Sequence, residues 1–345
     1  MAVVSAFVTL SSLLIAVGVN LVVELNGALD RLFSAAKVPH FVQMHTGTID
    51  EQRINRWATE TGMVEETQIS RMISLDGRSL TFSSSEVSEE ESVMDLSIVR
   101  QNSVFDFLLD RDNRIARPES GEIGVPVYYA ERRGVEIGDT VELSGDGFSR
   151  SFTVFALIQD AQMNPAIVHS KRFLVSENDY RELKNHFPES EYLIEFRLSE
   201  PDMVGDFAEA YQSADLPDLG PAVDFRLFRM LNALSEGMVA AVVVMLSLLL
   251  MIIALLCLRF TILAAMEEDY REIGIMKAVG MNRRHIRRIS LVKYVVLSLF
   301  AGLSGYFLSL TVNLLLGRGI GFESGFSAAP PPGGLFHDFH HYRIG

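Results

Sequence analysis

Three long apolar runs, at residues 2–23, 238–258 and 294–316, enclose one stretch of alternating and amphipathic pattern between residues 31 and 235. The second and third runs are about 21 and about 23 residues long. Each is enough, at roughly 1.5 Å per residue, to cross a hydrocarbon layer of roughly 30 Å. The first run, Ala2–Val23, is interrupted by Ser5, Ser11, Ser12, Gly18 and Asn20. It lacks a basic start and exceeds the roughly 7–15 apolar residues of a cleaved leader, so it is expected to remain as a transmembrane helix. Helical spacing continues through Leu25, Leu29, Leu32 and Phe33, which predicts a stalk reaching beyond the membrane until Pro39 stops it.

Within the polar stretch, period-2 alternation predicts strands at His40–His45 and Glu65–Ser74 flanking a helix at Ile49–Thr61, with Thr48 or Asp50 as its cap. A second unit repeats the pattern: strand Tyr192–Leu198, helix Met203–Ala214, strand Ala222–Phe228. Two β-α-β units fit one antiparallel sheet with two helices on one face, a split ferredoxin-like arrangement, and everything between them is then an insertion. The insertion reads as helix Val125–Arg133 ending at Gly134, strand Thr140–Leu143, a turn at Gly145-Asp146-Gly147, strand Phe148–Ile158, strand Lys171–Val175 and helix Ser176–Phe187. Ser176 and Asp179 form a weak capping box. The polar Ser83–Ser92 reads as a solvated loop, and residues 317–345, with Pro330-Pro331-Pro332, read as a disordered tail.

Charge orients this arrangement. The connector 267–293 between the second and third runs carries seven Lys/Arg against four acids, so the positive-inside rule places it in the cytoplasm. Residues 31–235 are then extracytoplasmic. They hold 20 Lys/Arg against 35 Asp/Glu, a net charge of −15 that accounts for the −14 of the whole chain. An acidic outer face argues against nucleic acid as a partner. The connector itself predicts order: Glu267, Glu268 and Asp269 suit a helix N-terminus, Ile273, Met276 and Val279 form a stripe, Gly280 ends the helix, and Asn282 caps the next. Arg283, Arg284, Arg287 and Arg288 follow at headgroup level. Two readings fit that helix: an anchor to anionic lipid, or a docking surface for another protein.

The run Glu268-Asp269-Tyr270-Arg271-Glu272-Ile273-Gly274-Ile275-Met276-Lys277-Ala278-Val279-Gly280-Met281 resembles the cytoplasmic coupling segment of FtsX/MacB-type ABC transporter permeases. Two further stretches are similar to the family's external domain: Gly121–Val127 with Gly138-Asp139-Thr140-Val141 and Phe152-Thr153-Val154, and Val38–His45, the latter as in a Gram-positive-like subgroup. The resemblance covers residues 1–316. It implies an α+β fold class: a polytopic helical membrane protein with three spans and a large extracytoplasmic α+β domain of MacB type, in the bacterial plasma membrane. It also implies a separate ABC ATPase subunit that docks on Arg271, Glu272, Ile273, Gly274, Ile275, Met276, Lys277 and Gly280 and drives the external domain. The chain has no phosphate-binding Gly-x-x-x-x-Gly-Lys-Ser/Thr motif, so it is expected to hold no cofactor, the partner subunit binding ATP. A scaffold that regulates a cell-wall hydrolase is the alternative reading.

The family pattern has a cytoplasmic segment before the first span and a fourth span after the third. Their absence reads as a fragment or half of a duplicated permease, which implies a second permease half or a homodimer, with membrane lipid around it. Enzyme chemistry finds little support. Gly302-Leu303-Ser304-Gly305 matches an intramembrane serine-protease motif, but none of the eight histidines lies within a span to act as base. Ala301, Gly305 and Ser309 read instead as a small-residue seam for helix packing. The single cysteine, Cys257, lies inside the second run, so the polar stretch has no disulfide or cysteine-based metal site. His337, His340 and His341 in the tail read as adventitious metal binders, and His40 and His45 as surface or core residues.

Overall fold

The computed structural model describes residues 2–83, 94–145, 147–165, 168–268, 292, 295–296 and 298–312. Helix α1 (Ala2–Ala36) runs unbroken from the first apolar run into the stalk. It ends before Pro39, at Lys37, which adopts the left-handed conformation with φ 49°. Lys37 N donates to Ser34 O (3.3 Å) and Val38 N to Phe33 O (3.2 Å), the paired bonds that satisfy the last carbonyls of a helix.

β1 (Phe41–Thr46), α2 (Glu51–Thr61) and β2 (Val64–Leu75) follow. Asp50 caps α2 by accepting from Arg53 N at 3.0 Å, and Gly62 closes it at φ 67°. The insertion supplies β3 (Leu80–Phe82), β4 (Asp95–Arg100), β5 (Glu122–Pro126), α3 (Val127–Arg133), β6 (Thr140–Gly145), β7 (Phe148–Ile158), β8 (Ser170–Val175) and α4 (Glu177–His186). Ser176 caps α4, accepting from Asp179 N. β9 (Ser190–Leu198), α5 (Val204–Ser213), β10 (Ala222–Asp224) and α6 (Phe225–Glu268) complete the domain and leave it again. A last described helix, α7, covers Ser298–Val312.

Beyond shifts of one or two residues at other element ends, two differences from the sequence reading change the type of element. Val125 and Pro126 belong to β5, and α3 starts only at Val127. The expected strand Ala222–Phe228 stops at Asp224, because Asp224 Oδ1 accepts from Leu227 N (2.9 Å) and caps α6. Strand and helix therefore meet without a loop.

One ten-stranded sheet has the order β10-β1-β9-β2-β4-β8-β5-β7-β6-β3. Its first four strands are antiparallel neighbours, and α2 and α5 cover one of their faces. There Phe41, Ile54, Phe196, Phe207 and Tyr211 are almost fully buried. Each such side chain contributes about 1.5–3 kcal/mol of burial. Because side chains alternate across a strand, the intervening residues Val42, Met72 and Leu193 face the other way. They pack with Leu32, Ala36 and Phe228, so the stalk helices seat on the second face of the same sheet. A third core, around Phe82, Tyr129, Phe152 and Phe173, lies in the inserted half. On the opposite face of β5, Gly124 leaves room for the stalk-side core, since a Cβ would lie 2.8 Å from Ile158 Cγ2 and 3.2 Å from Leu174 Cβ.

α1 and α6 run side by side and antiparallel, with Gly18 against Val244 and Asp30 bonded to Arg229 at 2.7 Å. α7 meets α1 through the seam read from sequence. Ala301 and Ser309 are buried, a Cβ on Gly305 would lie 2.4 Å from Thr9 O, and Ser12 Oγ donates to Gly302 O at 2.9 Å. Among the described residues one helix, Val8–Ala36, is long and apolar enough to cross a membrane; Ala241–Cys257 and Ser298–Val312 are shorter apolar helices. Met245, Leu249 and Leu255 on α6 and Leu299, Phe300 and Phe307 on α7 are exposed, a surface that water does not favour.

Candidate functional site

The candidate coupling residues Arg271, Glu272, Ile273, Gly274, Ile275, Met276, Lys277 and Gly280, the basic set Arg283, Arg284, Arg287 and Arg288, and the expected loop and tail all lie outside the described residues. What the structure does present is the place where the stalk enters the α+β domain. The end of α1 is gripped by backbone: Phe107 N donates to Ala36 O (2.8 Å) and Asp106 N to Lys37 O (3.1 Å). The start of α6 is gripped by a side chain, Asn232 Nδ2, which donates to Ala161 O at 3.0 Å and to Phe228 O at 2.9 Å.

Between these two grips lies a buried ionic cluster. β8 presents Arg172 toward the stalk face. Its Nη1 donates to Asp106 Oδ2 (2.7 Å), while Nε and Nη2 donate to the two oxygens of Asp160 (2.6 and 2.7 Å). Asp106 is itself one of the two residues that grip α1, and Asp160 directly precedes Ala161, the acceptor for α6. One guanidinium thus joins the two landing points. All three residues are at most 3% exposed. Asp160 Oδ1 also accepts from Gln162 N and Met163 N, and Asn102 Nδ2 supports Asp106 through its carbonyl.

Burial alone would raise Asp160, but Arg172 and these amide donors outweigh it and hold the carboxyl below its usual 3.8. Burial likewise disfavours the charged Arg172, yet Asp106 and Asp160 raise it well above its ordinary value. Glu195 on β9 completes the cluster, accepting from Gln68 Nε2 (2.9 Å) and Gln162 Nε2 (2.7 Å). Burial, and then Asp106, push its carboxyl well above the usual 4.5, against Arg172 and the two amides. Beside it, Lys171 is buried with Nζ donating to the carbonyls of Met163, Pro165 and Val168; desolvation lowers it to about 8. That ammonium ties down the segment that follows Asp160.

The two carboxyls respond oppositely to pH. Folded Glu195 keeps a proton that the unfolded chain releases, so its contribution is fully present below about 4.5 and is lost as pH rises toward the folded value. Asp160 contributes above its unfolded 3.8, and that contribution is lost as pH falls through the folded value. Glu195→Gln removes the first contribution. The stability of the variant relative to the parent should therefore increase between about pH 5 and about pH 7 in denaturant titrations. A difference that stays constant across that range refutes the assignment.

The remaining motif residues are engaged structurally. His40 Nδ1 accepts from Leu198 N (2.8 Å), and burial, then Arg197, lower its pKa; His45 Nδ1 accepts from Leu219 N (3.1 Å). Ser304 Oγ donates to Ala301 O at 2.8 Å within its own helix. No group of His, Cys, Asp or Glu suited to a metal ion occurs among the described residues. The ionic cluster was not read from sequence. Its one signal is an unusual set of charged and amide residues at 159–162 and 171–172, inside otherwise apolar strand patterns.

Residues 244–336 match the family model of the FtsX-like permease C-terminal domain. The match runs past residue 316 into the Pro-Gly segment and contains the whole basic connector. Among solved structures, the chain is similar to the periplasmic region of MacB from Actinobacillus actinomycetemcomitans, at 9% identity over 57% of this chain and 94% of that one, with a TM-score of 0.32. It is also similar to a domain described as that of a permease protein from Porphyromonas gingivalis, at 11% identity over 56% and 84%, with a TM-score of 0.28. No curated protein matches the chain. By the match over residues 244–336, this chain carries the C-terminal domain of the FtsX-like permeases, a family of ABC transporter permeases.

Proposed function

We propose that the chain is the membrane subunit of an ABC transporter in the bacterial plasma membrane, which converts the motion of a separate ATPase into movement of its α+β domain outside the cell. The observation that carries this reading is α6. It is a single helix of 44 residues from the domain at Phe225 to Glu268, at the edge of the basic connector. At about 1.5 Å per residue it is a rod of roughly 66 Å. A displacement of the connector reaches the domain along that rod with no hinge in between. At the domain, Asn232 and the Arg172 cluster tie α6 to the end of α1, so the two helices load the sheet together.

In this reading the ATPase grips the segment Arg271–Gly280, and Arg283, Arg284, Arg287 and Arg288 meet the lipid headgroups. The three apolar segments cross the bilayer, and a second permease half or a second copy completes the pathway. The chain's own residues supply transmission rather than chemistry. Glu272→Lys or Met276→Asp should abolish co-purification of the ATPase while leaving membrane insertion intact. Undiminished co-purification with both variants counts against the docking assignment.

A further inference from the structure

The ten-stranded sheet forks. β2 pairs with β4 only at Ile73–Leu75, opposite Leu96–Ile98. Beyond that point β2 stays with β9 through Ile69 and Gln68, whereas β4 follows β8 to Arg100. The diverging edges, the loop after β4 and the start of α4 enclose a cleft of about 210 Å³, below the roughly 300–1,000 Å³ of sites for drug-sized molecules. Arg71 from β2, Arg100 from β4 and Arg172 at the stalk-facing cluster line it, with Glu177 as its one acid.

These guanidinium groups are not equivalent. Arg172 is saturated by Asp106 and Asp160, and Arg100 Nη1 donates to both oxygens of Glu177 (2.8 and 3.0 Å). Most polar neighbours are also satisfied: Ser70 Oγ donates to Asn102 Oδ1, and Gln101 Nε2 donates to Leu108 O and Ala116 O. Arg71 differs. Its guanidinium lies over the Tyr192 ring at 5.8 Å, its backbone carbonyl accepts from Tyr180 Oη at 2.7 Å, and its Nε is buried with no acceptor among the described residues. A buried donor without an acceptor is costly, and native structures seldom leave one unmet. Arg172 and Arg100 are each neutralised by the acids they bond, so Arg71 is the lining arginine with no carboxylate bonded to it among the described residues.

We infer that this fork is a binding site for a carboxylate-bearing group of amino-acid size, with Arg71 as the recognising residue. A carboxylate accepts two parallel N–H bonds from a guanidinium fork, which a neutral amide cannot match. Ile69, Val99 and Leu108 offer an apolar wall for a short aliphatic portion. The site lies in the α+β domain and does not depend on how the ATPase docks. Its carboxylate can come from a free small acid or from the C-terminus of a peptide.

The test uses the full-length chain in detergent and saturation-transfer NMR with three probes: N-acetyl-L-leucinate, its amide N-acetyl-L-leucinamide, and a Gly-Gly-Gly-Leu tetrapeptide with a free C-terminus. Binding of the acetylated carboxylate, of the tetrapeptide, or of both, with no binding of the amide, supports the proposal and distinguishes the two sources. Arg71→Gln should weaken that binding at least tenfold, and Arg71→Lys, which keeps the charge but loses the fork, by less. Thermal unfolding of each variant verifies that the fold is intact. Equal binding of carboxylate and amide, unchanged binding by folded Arg71→Gln, or no binding of any probe overturns it.

Discussion

Arg172→Met should destabilise the α+β domain by about 3–5 kcal/mol, because it strands Asp106 and Asp160 as buried charges with no cation beside them. The loss comes from uncompensated burial more than from the bonds themselves, so neutralising the acids should recover part of it. The triple variant Arg172→Met, Asp106→Asn, Asp160→Asn keeps acceptors for Gln162 N, Met163 N and Asn102 Nδ2 while removing both charges. Denaturant midpoints of the three proteins, with tryptophan fluorescence from Trp57, the single tryptophan, measure this directly. The order expected is parent, then triple variant, then Arg172→Met. If the single variant unfolds at the parent midpoint, the cluster does not join the stalk landing points in the way described.

The second large effect is expected where the apolar helices α1 and α7 meet. Gly305→Val places a Cβ where Thr9 O lies at 2.4 Å, Ser12 Cβ at 2.9 Å and Leu13 N at 3.1 Å. Two of these obstacles are backbone, so no rotamer change relieves the overlap and α7 must move off α1. Overpacking of this kind costs about 1–3 kcal/mol or more, and the Ser12–Gly302 bond goes with it. Gly302→Ala is the control, since a Cβ there meets nothing within 4 Å. Thr9 Oγ1 and Ser304 Oγ are 3.4 Å apart, which provides the readout. With Cys257 replaced by serine, a Thr9→Cys, Ser304→Cys pair should cross-link readily. That cross-link should persist with Gly302→Ala and fall severalfold with Gly305→Val. Equal cross-linking in both backgrounds would show that the seam does not set the α1–α7 contact.

The two examples differ in how far sequence carries them. The seam is visible in sequence because small residues at four-residue spacing on an apolar helix have one economical use, close approach of another helix. The Arg172 cluster is not visible. Asp106, Asp160, Arg172 and Glu195 are separated by up to 89 positions, and each alone looks like an ordinary surface charge. Only the seating of the stalk on the sheet removes water from all four at once. Misplacement of the last strand has a local cause. Residues 222–228 alternate well enough to read as a strand, but an aspartate three residues before Leu227 N is a helix cap, and capping took precedence. The strands β3 and β4 are short or flank the polar residues 84–93, so neither carries enough alternation to be read alone.

By itself, the amino-acid sequence determined the apolar runs, the acidic domain between them, the positive connector and the periodic cores of the first and last β-α-β units. Each is a local property, set by residue type and spacing within a few turns or one strand. The tertiary structure alone decided that α6 continues unbroken out of β10, that the stalk lands on the sheet face opposite α2 and α5, and that the sheet forks at Arg71. These depend on which distant segments exclude water from one another, and the energy of that exclusion belongs to the pair rather than to either stretch of chain.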